Sequence, residues 1–197
     1  MPFTIANATI AQTLKAATTE SHEALEAMVL PRLQAITSPQ DYARLLKDFY
    51  GYFKPVEDAV APFITRTILP DWAQRRKAHA ILNDLAALQQ PFDHLPLATA
   101  LPSVNNLPQA MGALYVMEGS TLGGRGITKM LLKKEDVLLT IDHLQFFNGY
   151  GEATGPMWMA FVNVLNSFPF SDDEVAQLTE SANSTFNHFN TWLQYKP

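Results

Sequence analysis

The sequence predicts an all-α protein of about seven or eight helices in a single domain. Apolar residues recur at three- and four-residue spacing through most of the chain, which is typical of helices with one buried face. No segment shows the alternating pattern of a strand, and no internal repeat is present. At 197 residues, with 47% hydrophobic and 17% charged residues, the chain suits one globular domain over residues 1–197.

Three helices are predicted in the first half of the chain. The first covers Thr9 to Met28. The second begins at Ser38-Pro39, because proline at the first helical position loses no hydrogen bond, and it breaks near Pro62. The third runs from Pro70 to Leu88. Each ends close to a proline, which cannot continue the backbone hydrogen bonds of a helix.

The second half begins with a proline-rich connection over Gln90 to Pro108 and continues as helices. Ser171 and Glu174 have the spacing of a capping box, which places the start of the last helix. The predicted helices are Pro108 to Lys134, Ile141 to Tyr150, Gly155 to Ser167 and Ser171 to Gln194.

Four glycines lie within eight residues of the helix predicted after Pro108: Gly119, Gly123, Gly124 and Gly126. Each glycine inside a helix costs on the order of 1 kcal/mol relative to alanine, so the group costs roughly 4 kcal/mol. The run favours close helix packing slightly, but bare backbone also lets a flat ligand lie against the helix. A phosphate loop is not supported, because no Gly-Lys-Ser/Thr ending follows and no strand precedes.

His22 is the first side chain to consider as a ligand. Lys15, Thr18, His22 and Glu26 lie near one face of the first predicted helix. A single histidine on a helix is usually a surface residue, but polar neighbours on an otherwise core-forming helix favour a binding role. A neutral imidazole binds iron through one ring nitrogen, and a carboxylate such as Glu26 can hold the other.

Two motifs together resemble the heme oxygenase family, and more closely its bacterial, bacteriophytochrome-associated branch. The pattern Leu-Lys-x-Ala-Thr-x-x-x-His-x-x-x-Glu runs from Leu14 to Glu26. The pattern Tyr-Val-x-Glu-Gly-Ser-x-Leu-Gly-Gly runs from Tyr115 to Gly124. Aromatic and glycine residues between Phe146 and Phe161 also resemble the later helices of that branch. The resemblance implies a multi-helix fold in which a glycine-kinked distal helix crosses one heme face.

The resemblance also implies a role for each matching residue. His22 is the expected axial iron ligand, Lys15 and Tyr115 are expected partners of the heme propionates, and Ser120 is expected in a water network near bound oxygen. Many relatives have aspartate where Ser120 stands, and basic residues are absent from Gly155 to Ser167. In several relatives a basic residue in this region helps to hold the heme propionates, and here Arg125 or Lys129 can take that role. The remaining expected pocket residues are Thr18, Glu26, Gly119, Gly123 and Gly124.

The implied reaction is cleavage of heme, which serves as both cofactor and substrate, to biliverdin, carbon monoxide and free iron. It consumes O2 and needs electrons from a ferredoxin- or reductase-like protein. A phytochrome could receive the biliverdin. The alternative is a heme-binding or trafficking protein that keeps the pocket without turnover. A thiamin-hydrolysing enzyme of similar architecture would need a cysteine or an equivalent nucleophile, and the chain has no cysteine.

Charge and hydropathy exclude other classes. The net charge of −5 offers no basic surface for nucleic acid. No uninterrupted apolar stretch is long enough to span a membrane and no signal peptide is visible, so a cytoplasmic location is expected. Glu118 is expected to be structural, bonding loop amides or an arginine. The other histidines are expected to be solvated or packed: His79, His94, His143 and His188.

Overall fold

A computed structural model describes residues 8–195, and these residues form only helices and their connections. The all-α fold class is therefore confirmed. Within this range there are eight α-helices, of which one is a single turn. They are α1 (Ile10–Ala17), α2 (Thr19–Gln34), α3 (Pro39–Val60), α4 (His79–Ala87), α5 (Leu107–Leu132), α6 (Gln145–Asn148), α7 (Thr154–Ser167) and α8 (Asp172–Tyr195).

The first predicted helix is divided in two at Thr18. The Thr18 hydroxyl donates to the carbonyl of Leu14, and its backbone (φ −106°, ψ 2°) leaves the helical region. The second piece, α2, passes through Pro31 and ends at Gln34. One missing N–H near the end of a helix removes one hydrogen bond, which the last turn tolerates.

The helix predicted from Pro70 to Leu88 forms only in its second half, as α4. Before it the chain makes a short 3-10 turn, Trp72–Gln74. Arg75 is buried there, and its guanidinium donates two hydrogen bonds back to Asp71. Side-chain bonds of this kind replace the backbone pattern of a helix, and the sequence period does not reveal them.

The starts of α3 and α8 are confirmed. Ser38 caps α3 by accepting from the backbone N–H of Asp41, and Pro39 is its first residue. At α8, Ser171 and Glu174 exchange the two hydrogen bonds of a capping box. The helix that carries the four glycines, α5, is helical throughout its 26 residues.

Helix α8 packs along α5 on one side and α2 on another, so it positions both candidate helices. Ser21 and Arg32 of α2 bond to Asn183 and to the carbonyl of Leu193 in α8, so these helices run in the same direction. Behind α5, edge-to-face rings from α3, α6 and α8 form the core. These rings are Phe49, Phe53, Phe146, Phe147 and Phe189.

Candidate heme site

The glycines of α5 lie on two different faces of the helix. Gly124 is buried against α6, and a Cβ atom at this position would lie 2.2 Å from the carbonyl oxygen of Phe147. A Cβ atom added to Gly112 would likewise lie 2.1 Å from the carbonyl oxygen of Leu178 in α8. Glycine is required at these two positions because another helix lies directly against the backbone.

The other glycines face open space. An added Cβ would meet nothing within 4 Å at Gly123 or Gly126, and at Gly119 it would meet only the ring of Trp158, at 3.6 Å. Helical glycines without a packing neighbour cost stability and receive no compensation from the protein itself. This bare stretch of α5 can therefore accept a flat ring that the side chains of other residues would exclude.

His22 lies in the first turn of α2 and is exposed. Its ring meets Phe186 of α8 edge-on, with centroids 5.6 Å apart. Asn183 fixes the start of α2, because it accepts from the Ser21 hydroxyl and donates to the carbonyl of Ala17. Among residues 8–195 no group hydrogen-bonds to a His22 ring nitrogen, so the imidazole can present either one to a metal.

The expected bond between Glu26 and His22 is not formed. Both side chains are exposed, and no hydrogen bond joins them in the described part of the chain. Water competes for such surface partners, which leaves little gain from pairing them. A cluster of three or more histidine, aspartate or glutamate side chains that could hold a metal ion is also absent from residues 8–195.

Several other expected residues occupy different surroundings. Lys15 and Arg125 are exposed, with side chains free to reach an anionic group. Tyr115 is half-buried against Trp158, with ring centroids 5.3 Å apart, and burial raises the pKa of its hydroxyl. Thr18 is 3% exposed and its hydroxyl is engaged with the carbonyl of Leu14, so it shapes the junction between α1 and α2.

Glu118 is a structural residue, as its position beside the glycines predicts. It is buried, and its carboxylate lies 2.7 Å from the guanidinium of Arg75. The Tyr150 hydroxyl donates to the same carboxylate and accepts from the backbone N–H of Arg76. Burial and this carboxylate both raise the pKa of Tyr150. The network fixes α5 one residue before Gly119.

Arg76 is a residue of the site that the sequence does not indicate. Its guanidinium stacks on the Phe146 ring, 4.3 Å from the centroid. One of its nitrogens donates to both the carbonyl of Met117 and the hydroxyl of Ser120, each at 2.8 Å. Arg75, Arg76 and Lys77 form a short basic run outside any predicted motif, which is typical of a solvated surface. Only the fold brings Arg76 to α5.

Ser120 has its hydroxyl proton committed to the helix. Its Oγ donates to the carbonyl of Met117 at 2.6 Å and accepts from Arg76. One oxygen lone pair is left, so Ser120 can accept a hydrogen bond from a water molecule. Burial lowers the pKa of the Arg76 guanidinium, which nevertheless remains charged because arginine starts from a very high value.

A surface groove lies elsewhere on the described residues, away from the bare glycines. It has a volume of about 440 Å³ and runs between the start of α5 and α8. It contains no imidazole and no cation, so it offers no axial ligand for heme and no partner for propionates. Its lining residues are Ser103, Gln109, Ala176, Gln177, Glu180, Ser181 and Ser184.

Comparison with known proteins decides the family. The sequence model of the family described as heme oxygenase matches residues 8–195. The chain belongs to the heme oxygenase family. A heme oxygenase of Xanthomonas campestris is 30% identical over 152 residues, which cover 77% of this chain and 88% of that protein. The heme oxygenase PigA of Pseudomonas aeruginosa is 28% identical over 184 residues, which cover 93% and 90%.

Solved heme oxygenase structures share the fold. A heme oxygenase of Neisseria meningitidis, solved with NO and CO bound, superposes with a TM-score of 0.76 at 24% identity, covering 94% of this chain and 90% of that one. Heme oxygenase-1 of Synechocystis, solved with heme, gives 0.75 at 14% identity, covering 95% and 91%. These likenesses establish the helical architecture of this heme oxygenase chain.

The residues of this heme oxygenase fit heme as a ligand. A Cβ at Gly119, Gly123 or Gly126 would fill space that is open beside the backbone, and His22 offers a free ring nitrogen.

No helix within residues 8–195 has the length and apolar character needed to cross a bilayer.

Proposed function

We propose that the chain binds heme between α2 and the bare face of α5 and cleaves it with O2 to biliverdin, carbon monoxide and iron. Membership of the heme oxygenase family supports the activity. The observation that supports this site is that the glycines of α5 have different surroundings. Gly124 is needed for packing, whereas Gly119 and Gly123 face open space.

His22 is the residue that would hold the heme iron. A neutral imidazole donates one ring nitrogen to iron, and heme supplies the oxygen-binding and redox chemistry when bound. The Phe186 ring, in edge contact with His22, restricts the directions in which the imidazole can turn. The bonds of Asn183 to the start of α2 hold the backbone of this turn against α8.

Ser120 and Arg76 are proposed to order water on the other heme face. Ser120 accepts from Arg76 and keeps one lone pair for a water molecule, while its own proton stays on the Met117 carbonyl. Such water would supply protons without a strongly acidic side chain in the site. Gly119 and Gly123 let the backbone approach, and the proposed role of Gly124 is to let α6 support the helix from behind.

The propionates are proposed to meet Lys15, Tyr115 and Arg125. Lys15 and Arg125 are exposed cations. Tyr115 keeps its proton, because burial raises its pKa, and can donate a hydrogen bond. Glu26 is proposed to join the rim of the site through water. The proposed contribution of Thr18 is indirect, since its bond to Leu14 sets the direction in which α2 begins.

The electrons are proposed to come from a separate ferredoxin- or reductase-like protein in the cytoplasm. A single heme oxygenase domain is proposed over residues 1–197, and the match of one family model to residues 8–195 supports it. A phytochrome is the proposed recipient of biliverdin. This assignment is supported by the similarity of the region from Phe146 to Phe161 to the phytochrome-associated branch.

A heme titration followed by ascorbate in air tests the proposal. The wild type should develop a Soret band at one heme per chain, and the band should then decay into the broad red absorption of biliverdin. His22→Ala should lose both effects, and added imidazole should restore part of the Soret band by replacing the missing ligand.

His79→Ala is the matched control, because His79 is an exposed helical histidine far from the glycines in sequence. It should behave as the wild type does. A Soret band that persists under ascorbate and oxygen would instead identify a heme carrier. Equal binding by the wild type and His22→Ala would contradict the ligand assignment.

A further inference from the structure

Lys134 links the ends of the two helices of the proposed heme site. It lies two residues after the end of α5, and its ammonium group reaches across to the end of α2. There it donates to the carbonyl oxygens of Gln34, at 2.6 Å, and Ile36, at 2.8 Å. About one hundred residues of sequence separate the donor from its acceptors.

The chemistry of this contact suits a fixed joint. The last carbonyls of a helix have no partner within the helix and carry partial negative charge. The half-buried Lys134 donates to one such carbonyl, that of Gln34, and to the carbonyl of Ile36, two residues beyond α2. Both are charge-assisted hydrogen bonds, which are stronger than neutral ones. Lys133, the preceding residue, is exposed, and its side chain makes no hydrogen bond or ion pair with α2 among the described residues.

Lys134 is placed where it can set the distance between α2 and α5. Both helices are anchored near their starts on α8, α2 through Asn183 and α5 through the Ser181 hydroxyl, which donates to the carbonyl of Gln109. At its far end α2 is held by Arg32, which bonds to α8. Lys134 adds a direct bond from the residues that follow α5 to the end of α2, so these two ends are joined to each other as well as to α8.

We propose that Lys134 is a positioning residue that holds α2 and α5 at a fixed separation and so determines how firmly heme is retained between them. This inference rests on the proposed function, since it assumes that heme lies between these helices. Without this clamp, formed by the bonds of Lys134 to Gln34 and Ile36, the end of α2 keeps its Arg32 bond to α8 but has lost its direct bond to the end of α5. The separation of the two helices is then less restricted, and heme leaves faster.

Three variants test the clamp: Lys134→Met, Lys134→Arg and Lys133→Met. Methionine keeps the length of the side chain and removes its charge and donors, whereas arginine keeps both. Heme release is measured by transfer to excess apomyoglobin. Lys134→Met should release heme about ten times faster, as expected for the loss of a charged hydrogen bond. Lys134→Arg and Lys133→Met should stay within about threefold of the wild type.

A second measurement separates positioning from a general loss of stability. Amide hydrogen exchange of the apoprotein should speed up in Lys134→Met at the end of α2, residues 33–37, and remain unchanged around His22. The heme methyl NMR shifts of the complex should also move in this variant only, because they report how heme is seated.

The outcomes test the proposed function and the Lys134 clamp separately. A wild type that binds no heme contradicts the proposed function. A wild type that binds heme, with Lys134→Met and Lys133→Met alike in release rate and methyl shifts, overturns the clamp alone. Exchange that rises uniformly along the chain in Lys134→Met would also overturn it, because it would indicate general destabilisation.

Discussion

Alanine substitutions at two adjacent glycines of α5 should change stability in opposite directions. Gly123 faces open space, so Gly123→Ala adds helix propensity without a clash. Gly124 lies against α6, so Gly124→Ala places a Cβ 2.2 Å from the Phe147 carbonyl oxygen and forces a backbone shift. The same chemical change thus separates a glycine kept for packing from a glycine that the fold does not need.

The magnitudes follow from these surroundings. Gly123→Ala should raise the free energy of unfolding of the apoprotein by about 1 kcal/mol and Tm by about 2–4 °C. At Gly124 the same propensity gain opposes an overpacking cost of roughly 3 kcal/mol, because the neighbour is backbone and cannot rotate away. The net loss of about 2 kcal/mol should lower Tm by about 4–8 °C.

Calorimetry of the two apoproteins and heme titration of the same samples provide the readouts. Gly123→Ala should gain stability and lose heme affinity by about tenfold or more, since the added methyl group occupies the proposed ring position. A Gly123→Ala protein that binds heme as tightly as the wild type would refute the site. A Gly124→Ala protein of unchanged Tm would refute the packing argument.

Three further predictions concern buried or hydrogen-bonded side chains of α4 and α5. Glu118→Ala leaves Asp71 as the remaining carboxylate partner of the buried Arg75 guanidinium. Urea denaturation should show a free energy of unfolding lower by about 3 kcal/mol, and a decrease of less than about 1 kcal/mol would contradict a stabilising buried pair. Asp84 of α4 is buried and accepts from the backbone N–H groups of Gln145 and Phe146. Burial raises its pKa to about 7, so the folded state keeps a proton that the unfolded state releases near pH 4. The free energy of unfolding should therefore fall as pH rises from about 4 to 7. Asp84→Asn should make this pH dependence weaker, and an unchanged slope in the variant would disprove the role of Asp84. Ser120→Ala removes the hydroxyl that Arg76 donates to, and should slow heme turnover while heme affinity stays constant; equal turnover would exclude Ser120 from the water network.

The sequence predicts the elements whose signals are local. Helical period and proline position predict α3, and the exchange between Ser171 and Glu174 marks the start of α8. The structural role of Glu118 is also predicted, because a carboxylate beside a glycine run needs a partner if it is buried. Its partner, Arg75, is found only in the fold, since 43 residues separate the two.

Local signals fail where side chains replace backbone bonds or where contacts are distant. The division of the first helix at Thr18 depends on a hydroxyl that bonds to Leu14. The sequence does not separate Gly123 from Gly124, because the difference arises from α6, which approaches one side of α5 only. Arg76 and Lys134 are connected to the proposed site through contacts with residues far along the chain.

A crystal structure of the heme complex tests the central claim most directly. The account predicts a bond from iron to a ring nitrogen of His22, with the opposite porphyrin face in van der Waals contact with the α5 backbone at Gly119 and Gly123. Iron bound to any other side chain, or a porphyrin that does not touch this bare stretch of α5, would contradict it.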